Sequence, residues 1–203
     1  KDLNAVEASS RRALDVIQSR MDELSTIRRV SESLNQATTL RGALSPVMET
    51  IRSITKSPSV WLFLPEETGS ACQRIDYDPM HGDSQLIFSR DEGSTSTCIA
   101  SLLSGELESA QVITSCDCIK PTAETGESQS HYALPLYLGK KPIGVLNFIE
   151  DPRHPITENK VDLLHTICDS LSVAIERVRL FNTEHQQRKL AETLTDIGHN
   201  LTK

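Results

Sequence analysis

The sequence predicts an α+β fold: an antiparallel β-sheet with helices packed on one face, flanked by long N- and C-terminal coiled-coil helices. Three observations predict it. Residues 1–37 contain neither proline nor glycine, and Leu14, Ile17, Met21, Leu24, Ile27 and Leu34 recur at steps of three, four or seven. Residues 131–138 and 142–148 are two β-rich runs joined by Gly139, Lys140 and Lys141, the signature of a hairpin. After Thr157, which is placed to cap a helix, Leu164, Ile167, Leu171, Ala174, Val178 and Phe181 keep a heptad-like step. Leu190, Leu194, Ile197 and Leu201 resume that step beyond a polar gap at 185–188.

The N-terminal apolar stripe is narrow, which suits a two-stranded coiled coil better than a wide core face. Residues 40–56 restart helical spacing through Leu44, Val47, Met48, Ile51 and Ile54, with Thr38 and Thr39 as cap candidates. Pro46 lacks a backbone N–H, so a kink or a later start is expected there. The run 60–64 reads as a strand, 65–70 as a turn and 71–77 as its hairpin partner. Residues 78–93 are polar and turn-rich and read mostly as loop. Residues 95–103 form a short helix stopped by Gly105, 111–114 a short strand, and 115–128 a long loop.

Composition bounds the function. The 203 residues hold 37% hydrophobic and only 4% aromatic residues, enough for one core with length to spare. Twenty-one basic residues against 28 acidic give a formal net charge of −7. Such a chain, with no Lys/Arg stripe, lacks the footprint of a nucleic-acid binder and does not suit direct contact with an anionic membrane. No apolar run reaches bilayer length, and no signal-peptide core precedes the first helix. Five cysteines, an odd number without regular spacing, favour a reducing, cytoplasmic setting over a disulfide framework. Because it begins with Lys1, the chain reads as an excerpt. Residues 27–34 resemble 194–201, so a second module of the same kind, beginning past Lys203, is one expectation.

A sharper signal lies in residues 133–148, ALPLYLGKKPIGVLNF. Pro135, Leu136, Gly139, Gly144, Val145 and Leu146 resemble the "PL…G…GVL" pattern that spans two central strands of GAF domains. Leu163, Leu164, then Ser172, Val173, Ala174, Ile175, Glu176, Arg177, Leu180 and Phe181 resemble the closing GAF helix with its "AIE(R)…LF" ending. The resemblance implies a GAF-like antiparallel β-sheet over 38–181, a signalling helix over 1–37 and a linker helix over 182–203. It implies a regulatory module of the kind found in sensor kinases, one that dimerises through its flanking helices and passes a change of state to an output domain. The chain itself is then no enzyme, and its expected parent is a histidine kinase or a similar signalling protein. Gly144 permits a close backbone approach, whichever family is considered. The fold hosts many ligands or none, so the cofactor is unknown.

The local feature that stands out is Cys116-Asp117-Cys118, in the loop where GAF domains often bind ligand. Four readings stay open. Cys116 and Cys118, with Cys98 and Cys72 as further ligands, form a zinc or iron–sulfur site. Cys118 resembles the bilin-attachment cysteine of phytochrome-like GAF domains, although Ile119 stands where His or Tyr often follows. Cys98 and Cys116 resemble the thiols of free methionine-R-sulfoxide reductases, which need a nucleophilic thiolate and a resolving partner. Otherwise the loop cysteines are incidental, Cys98 and Cys168 are small core residues, and the ligand is a small molecule. His131 and Tyr132 open a strand lining the usual GAF pocket. The candidate ligand-binding set is therefore Cys98, Cys116, Cys118, His131 and Tyr132, with one of the last two expected to face solvent. Trp61 and Phe63 read as core, His165 as a packing edge and His199 as a coiled-coil surface position. The partner expected is a second copy, paired through Leu14, Ile17, Met21 and Leu24 at one end and Leu190, Leu194, Ile197 and Leu201 at the other.

Overall fold

The computed structural model describes residues 2–66, 71–79, 86–92, 96–114, 116–119 and 130–201, with 2–6, 8–9, 91–92 and 195–201 described by their backbone. The elements run α1 (Asp2–Gln36), α2 (Leu40–Thr55), β1 (Val60–Pro65), β2 (Ala71–Tyr77), β3 (Leu86–Glu92), α3 (Thr97–Ser104), β4 (Gln111–Ile113), β5 (His131–Leu138), β6 (Lys141–Phe148) and α4 (Glu158–Leu201). The strands form one sheet in the order β3-β2-β1-β6-β5-β4, and every neighbouring pair is antiparallel.

β1 explains the layering. A strand buried on both faces reads as an unbroken apolar run, and residues 60–64 are all buried. Val60, Leu62 and Leu64 meet one layer, built by Val30 and Leu34 of α1, Leu44, Val47, Met48 and Ile51 of α2, and Leu164, Ile167, Leu171 and Ile175 of α4. Trp61 and Phe63 meet a second cluster with Ile99 and Leu102 of α3. The expectation that all helices pack on one face is thus corrected for α3. Its buried side is only Cys98, Ile99 and Leu102, and it sits on the opposite face.

A second correction concerns 78–93, read as loop. Residues 86–92 pair with all of β2. Leu86 and Phe88 face the helix layer, and Arg41 of α2 spans the edge, donating to the Leu86 carbonyl at 3.0 Å with its guanidinium 4.8 Å from the Phe88 ring. A strand buried on one side needs only alternate apolar residues, too weak a signal amid turn residues. Pro46 does not delay α2, which starts at Leu40 with Thr39 accepting from the Gly42 N–H at 3.1 Å. Its buried stripe, Ala43, Leu44, Val47, Met48 and Ile51, holds the helix through the missing bond. Gly105 (φ 80°) stops α3 and Gly139 (φ 62°) turns the β5–β6 hairpin, both as expected.

α1 and α4 run parallel. Near one end Arg177 donates to the carbonyls of Leu34 and Ala37, satisfying groups that the end of α1 leaves open. Near the other, Asp15, Gln18, Asp22 and Thr26 share a groove with Asn159 and Leu163. The remaining stretches therefore leave the domain at opposite ends. Leu14, Ile17, Met21 and Leu24 on α1 and Leu190 and Leu194 on α4 are 55–66% exposed. Ile197 lies in α4 and Leu201 ends it, but their side chains, like that of His199, lie outside the described residues.

Candidate functional site

The site is built on the sheet face away from α1, α2 and α4. β6 sits between β1 and β5, and Asn147 pairs in register with Trp61 on one side and Ala133 on the other. Alternation on β5 sends His131, Ala133 and Tyr137 to this face. Trp61 and His131 lie with ring centroids 5.3 Å apart. α3 brings Cys98 in its first turn, and the turn after β4 brings Cys116 and Cys118 while leaving Asp117 exposed.

Two anchors hold these segments down. Tyr137 donates toward the Leu107 carbonyl at 3.1 Å and lies 3.5 Å from that of Leu102, pinning the end of α3 to β5. Arg74 of β2 donates to the Cys118 carbonyl at 2.7 Å, is paired with Asp76, and lies over the rings of Trp61 and Phe63. Replacing Tyr137 by phenylalanine is expected to cost about 1 kcal/mol, the usual net worth of such a hydrogen bond. Hydrogen exchange should quicken across 97–107, and an unchanged exchange pattern would show that the hydroxyl does not anchor α3.

The sulfurs converge. Cys98 Sγ is 3.8 Å from Cys116 Sγ, Cys116 Sγ is 2.7 Å from Cys118 Sγ, and Cys118 Sγ is 3.8 Å from His131 Nε2. All four residues are buried, and none of the five cysteines is in a disulfide. Ser96 Oγ lies 3.3 Å from Cys98 Sγ. Of the three thiols, Cys116 is the one most readily ionised. Hydrogen bonding from Cys118, then Cys98, holds its pKa far below the ordinary thiol value. Cys98 is pushed up to about 11, first by its hydrogen bond with Cys116, and the same neighbour raises Cys118. A thiolate between two thiols and an imidazole suits metal ligation or thiol–disulfide exchange.

Of the expected residues, the fold brings Cys98, Cys116, Cys118 and His131 together and leaves Tyr132 out. Tyr132 lies on the helix face and stacks on Phe148 at 5.1 Å, so the strand has a covered side where solvent was expected. Cys72 shares the apolar cluster but lies outside the four-donor group. Cys168 is a core residue of α4, its thiol pushed up by burial. His165 accepts from the Ala110 N–H at 3.3 Å and ties α4 to the chain before β4. Sequence reasoning missed Asn147 and Arg74 and took Trp61 for core alone. Three buried polar atoms among the described residues of this face, Trp61 Nε1, His131 Nδ1 and Asn147 Oδ1, find no hydrogen-bond partner. No sequence motif marks them, because pairing across the sheet is what assembles them.

The six-stranded antiparallel sheet with its helices is the fold of a GAF domain. A model of the GAF domain family matches residues 37–176, and the chain belongs to that family. The sensor histidine kinase YhcY of Bacillus subtilis (strain 168) is 29% identical over 175 residues, which cover 83% of this chain. The match spans 45% of that relative's length. Among solved structures, the GAF domain of a phosphoenolpyruvate-protein phosphotransferase from Coxiella burnetii superposes with a TM-score of 0.57 at 17% identity, covering 80% of this chain and 98% of that one. The GAF domain of a Pseudomonas syringae pv. tomato protein described as a sensor histidine kinase gives 0.54 at 16%, covering 86% and 99%. At such identities these structures speak for the fold alone. The family and the kinase relative together imply a sensory role. Among the described residues no helix is long and apolar enough to cross a membrane.

Proposed function

We propose that this chain is the cytoplasmic sensory module of a histidine-kinase-type signalling protein, not itself an enzyme. It takes its signal, a small ligand or a redox change, at the Cys98–Cys116–Cys118–His131 cluster and passes it through α1 and α4 of a homodimer. The single observation that carries this reading is a mechanical one. The strands that floor the cluster are also fastened to α4 on the far side of the sheet. Lys141 of β6 pairs with Glu176 at 2.6 Å, and Arg179 donates to the Pro65 carbonyl at the end of β1 at 3.3 Å. A ligand or oxidation state that shifts β1 against β6 therefore pulls on α4 near where it leaves the domain. Only a differential affinity for the two arrangements makes that shift. The exposed apolar residues on the projecting ends of α1 and α4 suit pairing with a second copy. An acidic chain with −7 net charge suits neither nucleic acid nor direct membrane contact.

The test compares hydrogen exchange in the reduced chain and after selective oxidation of its thiols. Exchange is expected to change in β1, in β6 and along 176–190 of α4. A change confined to 96–131 would sink the reading, because the cluster would then be mechanically separate from the output helix.

A further inference from the structure

We propose that Cys98, Cys116, Cys118 and His131 bind one tetrahedrally coordinated divalent ion of the zinc class, with His131 as the fourth ligand. The inference rests on reading the cluster as the input site and names the chemistry of what occupies it.

Spacing is the first argument. One donor atom from each residue lies within 4.8 Å of all the others. A tetrahedron with bonds of about 2.3 Å to sulfur and about 2.0 Å to nitrogen has edges of roughly 3.5–3.8 Å. The Cys98–Cys116 and Cys118–His131 separations, both 3.8 Å, are such edges. The Cys116–Cys118 separation of 2.7 Å is shorter, so these two sulfurs move apart by roughly 1 Å to seat the ion. A binuclear iron–sulfur centre divides its protein donors between two separated irons, whereas these four span a single coordination shell.

The donor set is the second argument. Three thiols and an imidazole, with the intervening Asp117 turned outward, are the soft and borderline ligands that zinc takes in closed sites. His131 is the sharpest clue. Its ring is 1% exposed, Nε2 faces Cys118 Sγ, and Nδ1 has no partner. Thiols are weak donors and acceptors, so an imidazole sealed among them is under-satisfied. An ion on Nε2 gives that nitrogen a partner and leaves the ring proton on Nδ1. Asn147 lies on the diagonal neighbour of His131, and its Oδ1 is an unpaired buried acceptor of the kind a metal-bound imidazole uses.

Four protein ligands leave no open position, so the site is regulatory or structural rather than catalytic. It joins three segments far apart in sequence: the first turn of α3, the turn after β4 and the start of β5. Loss of the ion, or oxidation of its thiolates, would release them together.

The experiment uses the whole chain, purified without oxygen in the presence of a thiol reductant. One zinc per chain is expected, and after chelation a Co²⁺ titration should saturate at one equivalent. The tetrahedral thiolate–cobalt bands should rise together with a change in fluorescence of Trp61, the one tryptophan. His131→Ala and Cys118→Ser should each weaken Co²⁺ binding by more than the roughly 100-fold that loss of an outer partner can cost. Cys72→Ser should leave it unchanged. If a variant fails to fold, X-ray absorption on the wild-type zinc form still decides, with three sulfurs and one nitrogen expected. No saturable Co²⁺ signal, two irons with sulfide per chain, or an H131A variant that binds like wild type would each overturn the proposal. A metal-free chain whose α4 still responds to thiol oxidation overturns this inference and leaves the sensory reading standing. A chain that binds zinc while α4 stays silent does the reverse.

Discussion

Replacing Gly144 by alanine is expected to lower the unfolding free energy by about 2–3 kcal/mol, the upper part of the range for overpacking a filled interior. A methyl group there would press into the Phe63 carbonyl oxygen, with Leu64 Cδ2 only 2.8 Å away. The leucine tip can turn aside. The carbonyl cannot, because β1 is paired on both sides, to β2 and to β6. Relief must come from moving two central strands, and these carry Trp61 and Asn147 at the site. For a domain of this size the loss corresponds to a fall in Tm of roughly 5–10 °C. Gly105 and Gly139 offer a control: an added Cβ meets nothing within 4 Å at either, and the strain there is confined to positive φ. Thermal and urea unfolding of G144A against wild type settles the matter. A loss under about 0.5 kcal/mol, the scale of an ordinary surface substitution, would mean the sheet absorbs the methyl.

The second large effect concerns association. Leu190 and Leu194 stand four residues apart on the part of α4 that projects past the domain, 66% and 62% exposed. If they form the seam of a parallel helix pair, each contributes about 1.5–3 kcal/mol of burial per protomer. Changing both to aspartate is then expected to weaken dimerisation at least about 100-fold, since each 1.4 kcal/mol is tenfold. Sedimentation equilibrium would show a dimer for wild type at high micromolar concentration and a monomer for the double variant. The sheet and its core should be untouched, because neither leucine belongs to them. A wild-type chain that stays monomeric would remove the dimeric reading of the helices. A double variant that stays dimeric would move the seam elsewhere, with α1 residues Leu14, Ile17, Met21 and Leu24 next to be tested.

Legibility in the sequence followed the range of the interaction. The two long helices, the β5–β6 hairpin and the stop at Gly105 were all readable. Each depends on residues within a few turns or one pleat of one another. β3 was lost because it is an edge strand with one buried side, and its pattern is drowned by neighbouring turn residues. The side taken by α3 was lost for a related reason. An eight-residue helix with three buried side chains does not say which face of a sheet it will cover.

The candidate site shows the same division. Periodicity, glycine placement and the hairpin were enough to predict an antiparallel sheet between two long helices, because local geometry repeats every 2 or 3.6 residues. It was the resemblance of residues 133–148 and 163–181 that pointed to the GAF family. The Cys116-Asp117-Cys118 motif and the resemblance marked Cys98, Cys116, Cys118, His131 and Tyr132 as one candidate site, without saying which of the five would meet. That meeting belongs to the folded sheet. Strand order sets β6 between β1 and β5, and the pleat turns His131 toward the thiols and Tyr132 toward the helices. Cys98 and His131, at the two ends of a long stretch of chain, share one buried space only once the sheet is paired, and no local spacing rule encodes that pairing.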